Sequence, residues 1–126
     1  MGLDNGIILK FNSPPEKIPR WLEDKHNPYY PPNEYHITYW RNKRNIRDDI
    51  RLLLDLSDDD CEYKLSIDDV KNIAECLSHY NKKNWISPVV SYKEYRYILS
   101  EQTNYLKRLV SVMHKNPDCT VVFYDR

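Results

Sequence analysis

The sequence predicts an α+β fold, in which a small sheet includes both terminal strands and about three helices cover it. Two apolar runs, GIILKF at Gly6–Phe11 and CTVVFY at Cys119–Tyr124, stand near the ends of the chain and are typical of buried strands. Between them, two serines followed three residues later by an acidic residue mark the starts of helices. Because a single core has to bury both apolar runs, we expect them in one sheet.

Residues 13–34 are predicted to form a proline-rich arm on the surface of a single domain that spans residues 1–126. The arm contains 6 prolines, which exclude a long helix or a central strand. EKIPRWLED, at residues 16–24, fits one short helical turn. We expect Trp21, Tyr29 and Tyr30 to hold the arm against the body, because a long unpacked loop is rare in a compact domain.

The first long helix is predicted to begin near Tyr35 or Ile37 and to end at about Leu56. It has one stripe of side chains at helical spacing: Tyr39, Lys43, Ile46, Ile50, Leu53 and Leu54. CEYKL, at residues 61–65, follows as a candidate short strand.

Two further helices have clear start signals. Ser66 and Asp69 form a capping-box pair, and Ser91 and Glu94 repeat the pattern. The first of these helices is expected to bury Ile67, Val70, Ile73, Ala74, Leu77 and Tyr80. The second is expected to continue to about Lys115 and to bury Tyr95, Ile98, Leu99, Leu106, Leu109, Val110 and Met113.

Composition excludes several classes of function. The 126 residues carry 19 basic and 19 acidic side chains, whereas duplex nucleic-acid and membrane-surface binders normally have a basic excess. No apolar run approaches the roughly 20 residues that span a bilayer. The 3 cysteines are widely spaced and do not resemble a disulfide framework. We therefore expect a cytoplasmic protein with no membrane partner, and a homo-oligomer stays possible.

Catalytic motifs are absent from the sequence. With glycine only at Gly2 and Gly6, there is no phosphate-binding loop, and no nucleophile elbow or zinc-protease motif occurs. Cys76 and His79 are neighbours on a predicted helix, but one pair is too few for a structural zinc site. The sequence thus predicts a protein that is not an enzyme and has no metal or cofactor.

The segment YWRNKRNIRDDI, residues 39–50, is the main candidate binding site. Its arginines either form a solvated face, with Arg44–Asp48 and Arg51–Asp55 pairs along a helix, or grip an anionic ligand. In the second interpretation, aromatic rings stack on the ligand and guanidinium groups bind its phosphate. NKKNW, residues 81–85, adds similar side chains. The candidate ligand-binding residues are Tyr39, Trp40, Arg41, Arg44, Asn45, Lys83 and Trp85.

Charge is distributed in blocks along the chain. Residues 48–69 hold 9 acidic and 2 basic side chains, whereas the segments on both sides are basic. This block either packs against the basic segments or presents an acidic surface to a basic partner protein. The candidate partner-binding residues are Asp58, Asp59, Asp60 and Glu62.

The chain resembles a poorly annotated family of small phage and prophage proteins that begin MGLD and contain a helix of the type Y-W-R-K-x-N-x-I. The matching residues are MGLD at Met1–Asp4, YWR at Tyr39–Arg41, Ile46, and the FY pair at Phe123 and Tyr124. The sequence departs from the family after Arg41, where Asn42 replaces lysine. The resemblance implies a phage accessory protein that acts in the host cytoplasm.

Two functions follow as hypotheses. In the first, the protein captures a small anionic ligand, such as a nucleotide that signals in host anti-phage defence. In the second, it inhibits a host defence protein, for instance a CRISPR effector, through the acidic block. A third and weaker alternative is an unrecognised enzyme. A concave basic pocket with an aromatic wall would favour the first hypothesis, and a broad acidic convex face would favour the second.

Overall fold

The computed structural model describes residues 4–13, 15, 17–26, 28–41, 44–57, 61–80 and 91–125, without the side chains of Arg41, Arg44 and Asn45. The strands are β1 (Asp4–Lys10), β2 (Glu34–Arg41), β3 (Glu62–Lys64) and β4 (Thr120–Asp125). The helices are α1 (Arg20–Glu23), α2 (Arg44–Leu53), α3 (Ile67–Ser78) and α4 (Tyr92–Lys115).

The four strands form one antiparallel sheet in the order β2-β1-β4-β3. The two terminal strands are its central pair, with Ile7 opposite Phe123 and Leu9 opposite Val121. Both strands are rich in the β-branched and aromatic residues that pack well on a pleated surface. The predicted α+β class, and the prediction that both terminal strands share a sheet, are therefore confirmed.

The two faces of the sheet differ in what covers them. Ile7, Leu9, Val121 and Phe123 are at most 1% exposed and belong to the buried cluster that also contains the inward side chains of α2, α3 and α4. Gly6 and its neighbours in register, Tyr39 and Tyr124, lie on the opposite face. The helices thus form one layer on one side of the sheet, as the sequence predicts.

The predicted capping box of α3 is confirmed, and of the one predicted for α4 the structure shows the bond to the Ser91 side chain. The Ser66 hydroxyl accepts from the Asp69 N–H at 3.1 Å, and the Asp69 carboxylate accepts from the Ser66 N–H at 2.9 Å. The Ser91 hydroxyl accepts from the Glu94 N–H at 3.2 Å. Each cap satisfies backbone N–H groups that the first helical turn leaves without partners.

The predicted inward faces of these two helices are largely confirmed. In α3, Val70, Ile73, Ala74 and Leu77 are buried, and Tyr80 just beyond it is also buried. In α4, Ile98 is 43% exposed, so its predicted burial is wrong. Ile98 borders the open edge of the sheet, where no helix packs over it in the described part of the chain.

The prediction of a helix from Tyr35 or Ile37 is wrong for its first third. Residues 34–41 form β2, and α2 begins only at Arg44. Tyrosine, isoleucine, threonine and tryptophan favour strands, and pairing with β1 satisfies the backbone of this segment. The helical spacing of Ile46 and Ile50, both buried, belongs to α2 alone.

The proline-rich arm packs against the body through α1. Leu22 is fully buried, and the half-buried Trp21 packs against the core cluster. Tyr30 lies against His36, with ring centroids 4.3 Å apart. The prediction that Tyr29 holds the arm is wrong, because Tyr29 lies in the turn before β2 and is 93% exposed.

Candidate functional site

Tyr39 and Trp40 lie on β2 rather than at a helix start, so their side chains point to opposite faces of the sheet. Trp40 is only 2% exposed, and its indole N–H donates to Gln102 Oε1 on α4 at 2.6 Å. Tyr39 is 46% exposed, and its hydroxyl donates to the Asp4 carboxylate at 2.9 Å. The expected stacking wall of two adjacent rings is therefore not formed.

The other candidate residues are described only in part. Arg41 ends β2, and Arg44 and Asn45 begin α2, but their side chains lie outside the description. Lys83, Trp85, Asp58, Asp59 and Asp60 lie outside the described residues altogether. Glu62 is exposed on β3, an outer strand of the sheet. The predicted binding roles of these residues stay predictions.

Two arginines of α2 share one buried carboxylate at the end of β4. The Arg47 Nε donates to both oxygens of Asp125 at 2.9 Å, and the Arg51 Nη1 donates to Asp125 Oδ2 at 2.8 Å. Arg51 also donates to the Ser57 carbonyl. The hydrogen bonds to Asp125 raise the pKa of the Arg47 guanidinium. We call Arg47, Arg51 and Asp125 the arginine cluster.

The arginine cluster corrects the solvated-face interpretation of α2. The expected partner of Arg51 was Asp55 on the same helix, whereas its observed partner Asp125 is on the sheet. The side chain of Asp125 is only 3% exposed, and that of Arg51 is 10% exposed. These cations therefore hold α2 against the sheet instead of facing solvent or a ligand.

A cavity of about 480 Å³ lies between the proline-rich arm and the C-terminal half of α4. Its size falls within the usual range for small-molecule sites. We call it the cationic pocket; its lining residues are Phe11, Pro15, Lys17, Ile18, Pro19, Trp21, Arg108, Ser111, Val112, Lys115 and Asn116.

The charged side chains of the cationic pocket all have the same sign. Lys17 comes from the arm, and Arg108 and Lys115 lie seven residues apart on one face of α4. None of the three makes an ion pair with any residue of the described chain. No described lining residue is Asp, Glu, His or Cys. The pocket thus has positive charge that the described protein does not neutralise.

Lys115 has one further electrostatic role. It lies in the last turn of α4, where a cation offsets the partial negative charge of the helix end. Arg108 lies two turns earlier, beyond the reach of that effect, which falls off within the last turn. Arg108 is therefore the cation whose position is best explained by the pocket itself.

An aromatic stack forms one wall between the arm and α4. The rings of Trp21 and Tyr105 are stacked, with centroids 5.9 Å apart and planes 26° apart. The Lys25 ammonium lies 3.7 Å from the centre of the Tyr105 ring, in cation–π geometry. Burial lowers the pKa of Lys25. The stack fixes Trp21, whose side chain lines the cationic pocket.

The cationic pocket combines an apolar floor with polar groups at one side. Phe11, Ile18 and Val112 offer contact surface, while Ser111 and Asn116 offer a hydroxyl and an amide. Such a site binds a ligand with an apolar or aromatic body and an anionic group.

The cationic pocket was not among the sites predicted from the sequence. Arg108, Ser111 and Lys115 do share one face of a helix, and this signal is present in the sequence. This signal indicates a pocket only when the proline-rich arm is known to cross the same face of α4. The dense run of arginines at residues 41–51 was a stronger pattern, but two of its members, Arg47 and Arg51, belong to the arginine cluster.

The described residues contain neither a candidate membrane span nor a candidate metal cluster. No described helix is both long enough and apolar enough to cross a bilayer. Nowhere in the described ranges do three His, Cys, Asp or Glu side chains come together as metal ligands would.

Comparisons with known proteins give no assignment. No family model, no curated protein and no solved structure matches this chain. The candidate function therefore depends on the geometry of the site.

Proposed function

We propose that this chain is a non-enzymatic binding protein that captures a small anionic ligand in the cationic pocket. The observation that carries this proposal is the set of three cations, Lys17, Arg108 and Lys115, around an apolar cavity without an acidic partner. All three residues are exposed, and each can donate charge-assisted hydrogen bonds to an anion, which are stronger than neutral ones. The aromatic side chain of Trp21 supplies a wall on which a planar ring can stack.

The biological role proposed for this site is that of a phage protein which counters host defence. A signalling nucleotide has the required chemistry, since its phosphate would contact the cations and its base would stack on Trp21. In this proposal the Ser111 hydroxyl and the Asn116 amide oxygen bind the edge of a base, while the Asn116 amide nitrogen keeps its hydrogen bond to the Val112 carbonyl at 2.9 Å. The resemblance to small phage proteins supports the phage origin, and the pocket supports the anionic ligand.

The proposal is tested by binding measurements on a panel of anions. The probes are cyclic and linear nucleotides, together with the aromatic sulfonate 8-anilinonaphthalene-1-sulfonate, which needs no knowledge of the natural ligand. We expect at least one probe to bind by isothermal titration. Arg108→Ala should weaken it by about 1.5–3 kcal/mol, roughly 10- to 150-fold, because a charged hydrogen bond is lost.

Lys107→Ala is the matched control, because Lys107 is an exposed cation of the same helix that does not line the cationic pocket. It should leave the affinity unchanged. If no probe binds, or if both variants weaken binding equally, the pocket does not have the proposed role. Binding of the sulfonate without any nucleotide would retain the anion site and remove the nucleotide.

The second candidate, an inhibitor of a host defence protein, is supported by one position. Glu62 belongs to the acidic block and is exposed on β3, a three-residue outer strand of the sheet. A pull-down from CRISPR-bearing cells with the wild type and Glu62→Lys tests this candidate. Loss of a captured effector in the variant would favour it over the ligand-binding proposal.

A further inference from the structure

The solvent-facing side of α4 carries positive charge along its whole length. At 3.6 residues per turn, its exposed lysines and arginines all fall within about one third of the helix circumference: Lys93, Arg96, Lys107, Arg108 and Lys115. The two acids of the helix, Glu94 and Glu101, lie outside that third. We call these cations of α4, together with Lys17 of the arm, the basic face.

Two cavities border the basic face, one on each side of it. The cationic pocket lies on the side of the arm and includes Lys17, Arg108 and Lys115. A second cavity, of about 190 Å³, lies between the end of α3 and α4, and its polar lining side chains from α4 include Arg96, Ser100, Asn104 and Lys107. No described lining residue of either cavity is Asp or Glu. Cations and neutral hydrogen-bonding groups therefore alternate along this side of α4.

The cations of the basic face are exposed, and none forms an ion pair with a residue of the described chain. Arg96 donates to the Tyr80 carbonyl at 2.5 Å, and its guanidinium has further N–H donors. The whole chain has 19 basic and 19 acidic side chains, so the fold creates this local excess by gathering cations on one side. A surface of one sign of charge attracts a ligand of the opposite sign.

The length of the basic face fits an extended polyanion. Lys93 and Lys115 lie near the two ends of α4 and are about 33 Å apart along the helix axis, at 1.5 Å per residue. A mononucleotide would reach the cations of one cavity only. A nucleic-acid strand has regularly spaced phosphates and would contact cations along the whole face.

Two features favour a single strand over a duplex. Tyr97 is 71% exposed, lies within the same third of α4 one turn from Lys93, and offers a ring on which an unpaired base can stack. In addition, α3 packs along one side of α4, and the arm contacts the other through the stack of Trp21 on Tyr105. A major groove about 12 Å wide admits a single helix, so α4 with these neighbours cannot enter it.

We propose that the basic face binds single-stranded nucleic acid. The phosphates contact cations in both cavities, Ser100 and Asn104 bind phosphate or sugar oxygens, and one base stacks on Tyr97. Three of the cations, Lys93, Arg96 and Lys107, do not line the cationic pocket. The inference therefore goes beyond the capture of a small ligand and does not depend on it.

The test measures the fluorescence anisotropy of a labelled oligothymidylate of about 20 residues, titrated with the full chain at about 50 mM salt. Lys107→Gln is compared with Lys64→Gln. Lys64 is the matched control, because it is an exposed lysine of β3 and lies opposite Val122, on the sheet face away from the helices. Circular dichroism checks that both variants fold, as expected for exposed positions.

We expect the wild type and Lys64→Gln to bind the oligothymidylate equally, and Lys107→Gln to bind it about fivefold or more weakly. On a single strand, each phosphate contact adds about 0.7 to the slope of log affinity against log salt concentration. Lys107→Gln should therefore lower this slope by about 0.7. Tyr97→Ala should weaken binding about fivefold or more and leave the slope unchanged, because it removes a stacked base and no cation.

Four results would overturn the proposal. The first is no binding of the oligothymidylate at low salt, and the second is equal affinity and salt dependence for Lys107→Gln and Lys64→Gln. The third is tighter binding of the oligothymidylate–oligoadenylate duplex than of the single strand. The fourth is displacement by polyglutamate as effective as by unlabelled oligothymidylate, because the partner would then be an acidic protein segment.

The same experiment separates this proposal from the small-ligand function. If the chain binds a probe of the anion panel but no oligothymidylate, the cationic pocket keeps its role and the strand-binding inference fails. If Lys107→Gln weakens binding of the strand but not of the small probe, both hold, because Lys107 belongs to the second cavity alone of the two that border the basic face.

Discussion

Two groups of cations in this molecule have opposite surroundings. In the arginine cluster, Arg47 and Arg51 donate three hydrogen bonds to Asp125 at 2.8–2.9 Å. In the cationic pocket, Lys17, Arg108 and Lys115 surround a cavity of about 480 Å³ and have no described acidic partner. The first group joins α2 to the sheet. The second places positive charge beside an apolar cavity.

The contrast between the arginine cluster and the cationic pocket shows that a high density of charge along a sequence does not by itself identify a binding site. Arg47 and Arg51 of α2 are closely spaced in the chain, yet both bind the Asp125 carboxylate of β4. The pocket cations are far apart in the chain and come together only in the fold. The cations of the proposed site both lack an internal acid and line one cavity, and this combination depends on tertiary contacts.

The largest expected effect is on the arginine cluster. Asp125→Ala should lower the free energy of unfolding by about 3–5 kcal/mol, because it leaves two guanidinium groups near the core without their anion. Urea denaturation at neutral pH measures the loss. Asp48→Ala is the control, since Asp48 also pairs with Arg47 but its side chain is 64% exposed. The control should cost no more than about 1 kcal/mol.

If the two variants lost equal stability, Asp125 would not be the anchor of α2. The arginine cluster would then stabilise the fold no more than an exposed ion pair does, and it would no longer contrast with the cationic pocket. An unfolded Asp125→Ala variant would be consistent with the prediction, and Asp125→Asn would give a measurable intermediate, because the amide oxygen still accepts hydrogen bonds.

Gly6→Ala tests the backbone beside the arginine cluster. A Cβ at this position would lie 2.3 Å from the Thr38 carbonyl oxygen and 3.0 Å from the Tyr124 hydroxyl. β2 would have to move away from β1, so we expect a loss of about 1–3 kcal/mol. Thermal unfolding measures it. An unchanged melting temperature would show that the sheet is looser here than the structure indicates.

Much of the fold could be predicted from local signals. The caps at Ser66 and Ser91 act within four residues of the chain, so sequence alone reveals them. β2 was missed because its aromatic residues run directly into the helical pattern of α2. Only pairing with β1, which is distant in sequence, decides between strand and helix for residues 34–41.

The candidate site was less predictable. Trp40 looked like part of a ligand wall because it precedes three arginines, but its bond to Gln102 joins residues 62 positions apart. The wall residue of the cationic pocket, Trp21, was predicted only to hold the arm. Its stacking on Tyr105 and the crossing of α4 by the arm are tertiary facts that no local pattern contains.

Tyr80→Phe tests the contacts that join α2 to α3. The Tyr80 hydroxyl donates to the Asp49 carboxylate, and burial raises the Tyr80 pKa above its ordinary value of 10.0. Above pH 10, the unfolded chain would lose this proton while the folded chain keeps it, so stability falls as pH rises. The variant should lose about 1–2 kcal/mol at neutral pH and show a smaller alkaline decline.

Denaturation curves at neutral pH and above pH 10 measure both effects. Burial also raises the pKa of Tyr35 and Tyr105, so part of the alkaline decline should remain in the variant. Tyr97→Phe is the control, because Tyr97 is 71% exposed and should alter neither value. An identical alkaline decline in Tyr80→Phe and the wild type would contradict the assignment.

The smallest change in the free energy of unfolding is predicted for Arg108→Ala, and this variant bears most directly on the proposed function. Arg108→Ala should change the free energy of unfolding by no more than about 0.5 kcal/mol, because Arg108 is exposed and has no ion pair in the described chain. Arg51→Ala, the same substitution in the arginine cluster, should cost several kcal/mol, because it leaves Asp125 short of a donor. Paired urea denaturation of the two variants measures the contrast.

The effect of added salt on the free energy of unfolding provides a second test of the role of Arg108. If the three pocket cations repel one another, added salt should screen that repulsion and stabilise the wild type slightly more than Arg108→Ala. An anionic ligand should produce the same stabilisation at far lower concentration, because it binds the folded state alone. If Arg108→Ala were instead as destabilising as Arg51→Ala, Arg108 would be a structural cation. The pocket would then have only Lys17 and Lys115 as candidate binding cations, and the hypothesis of an inhibitor that acts through Glu62 would become the better candidate.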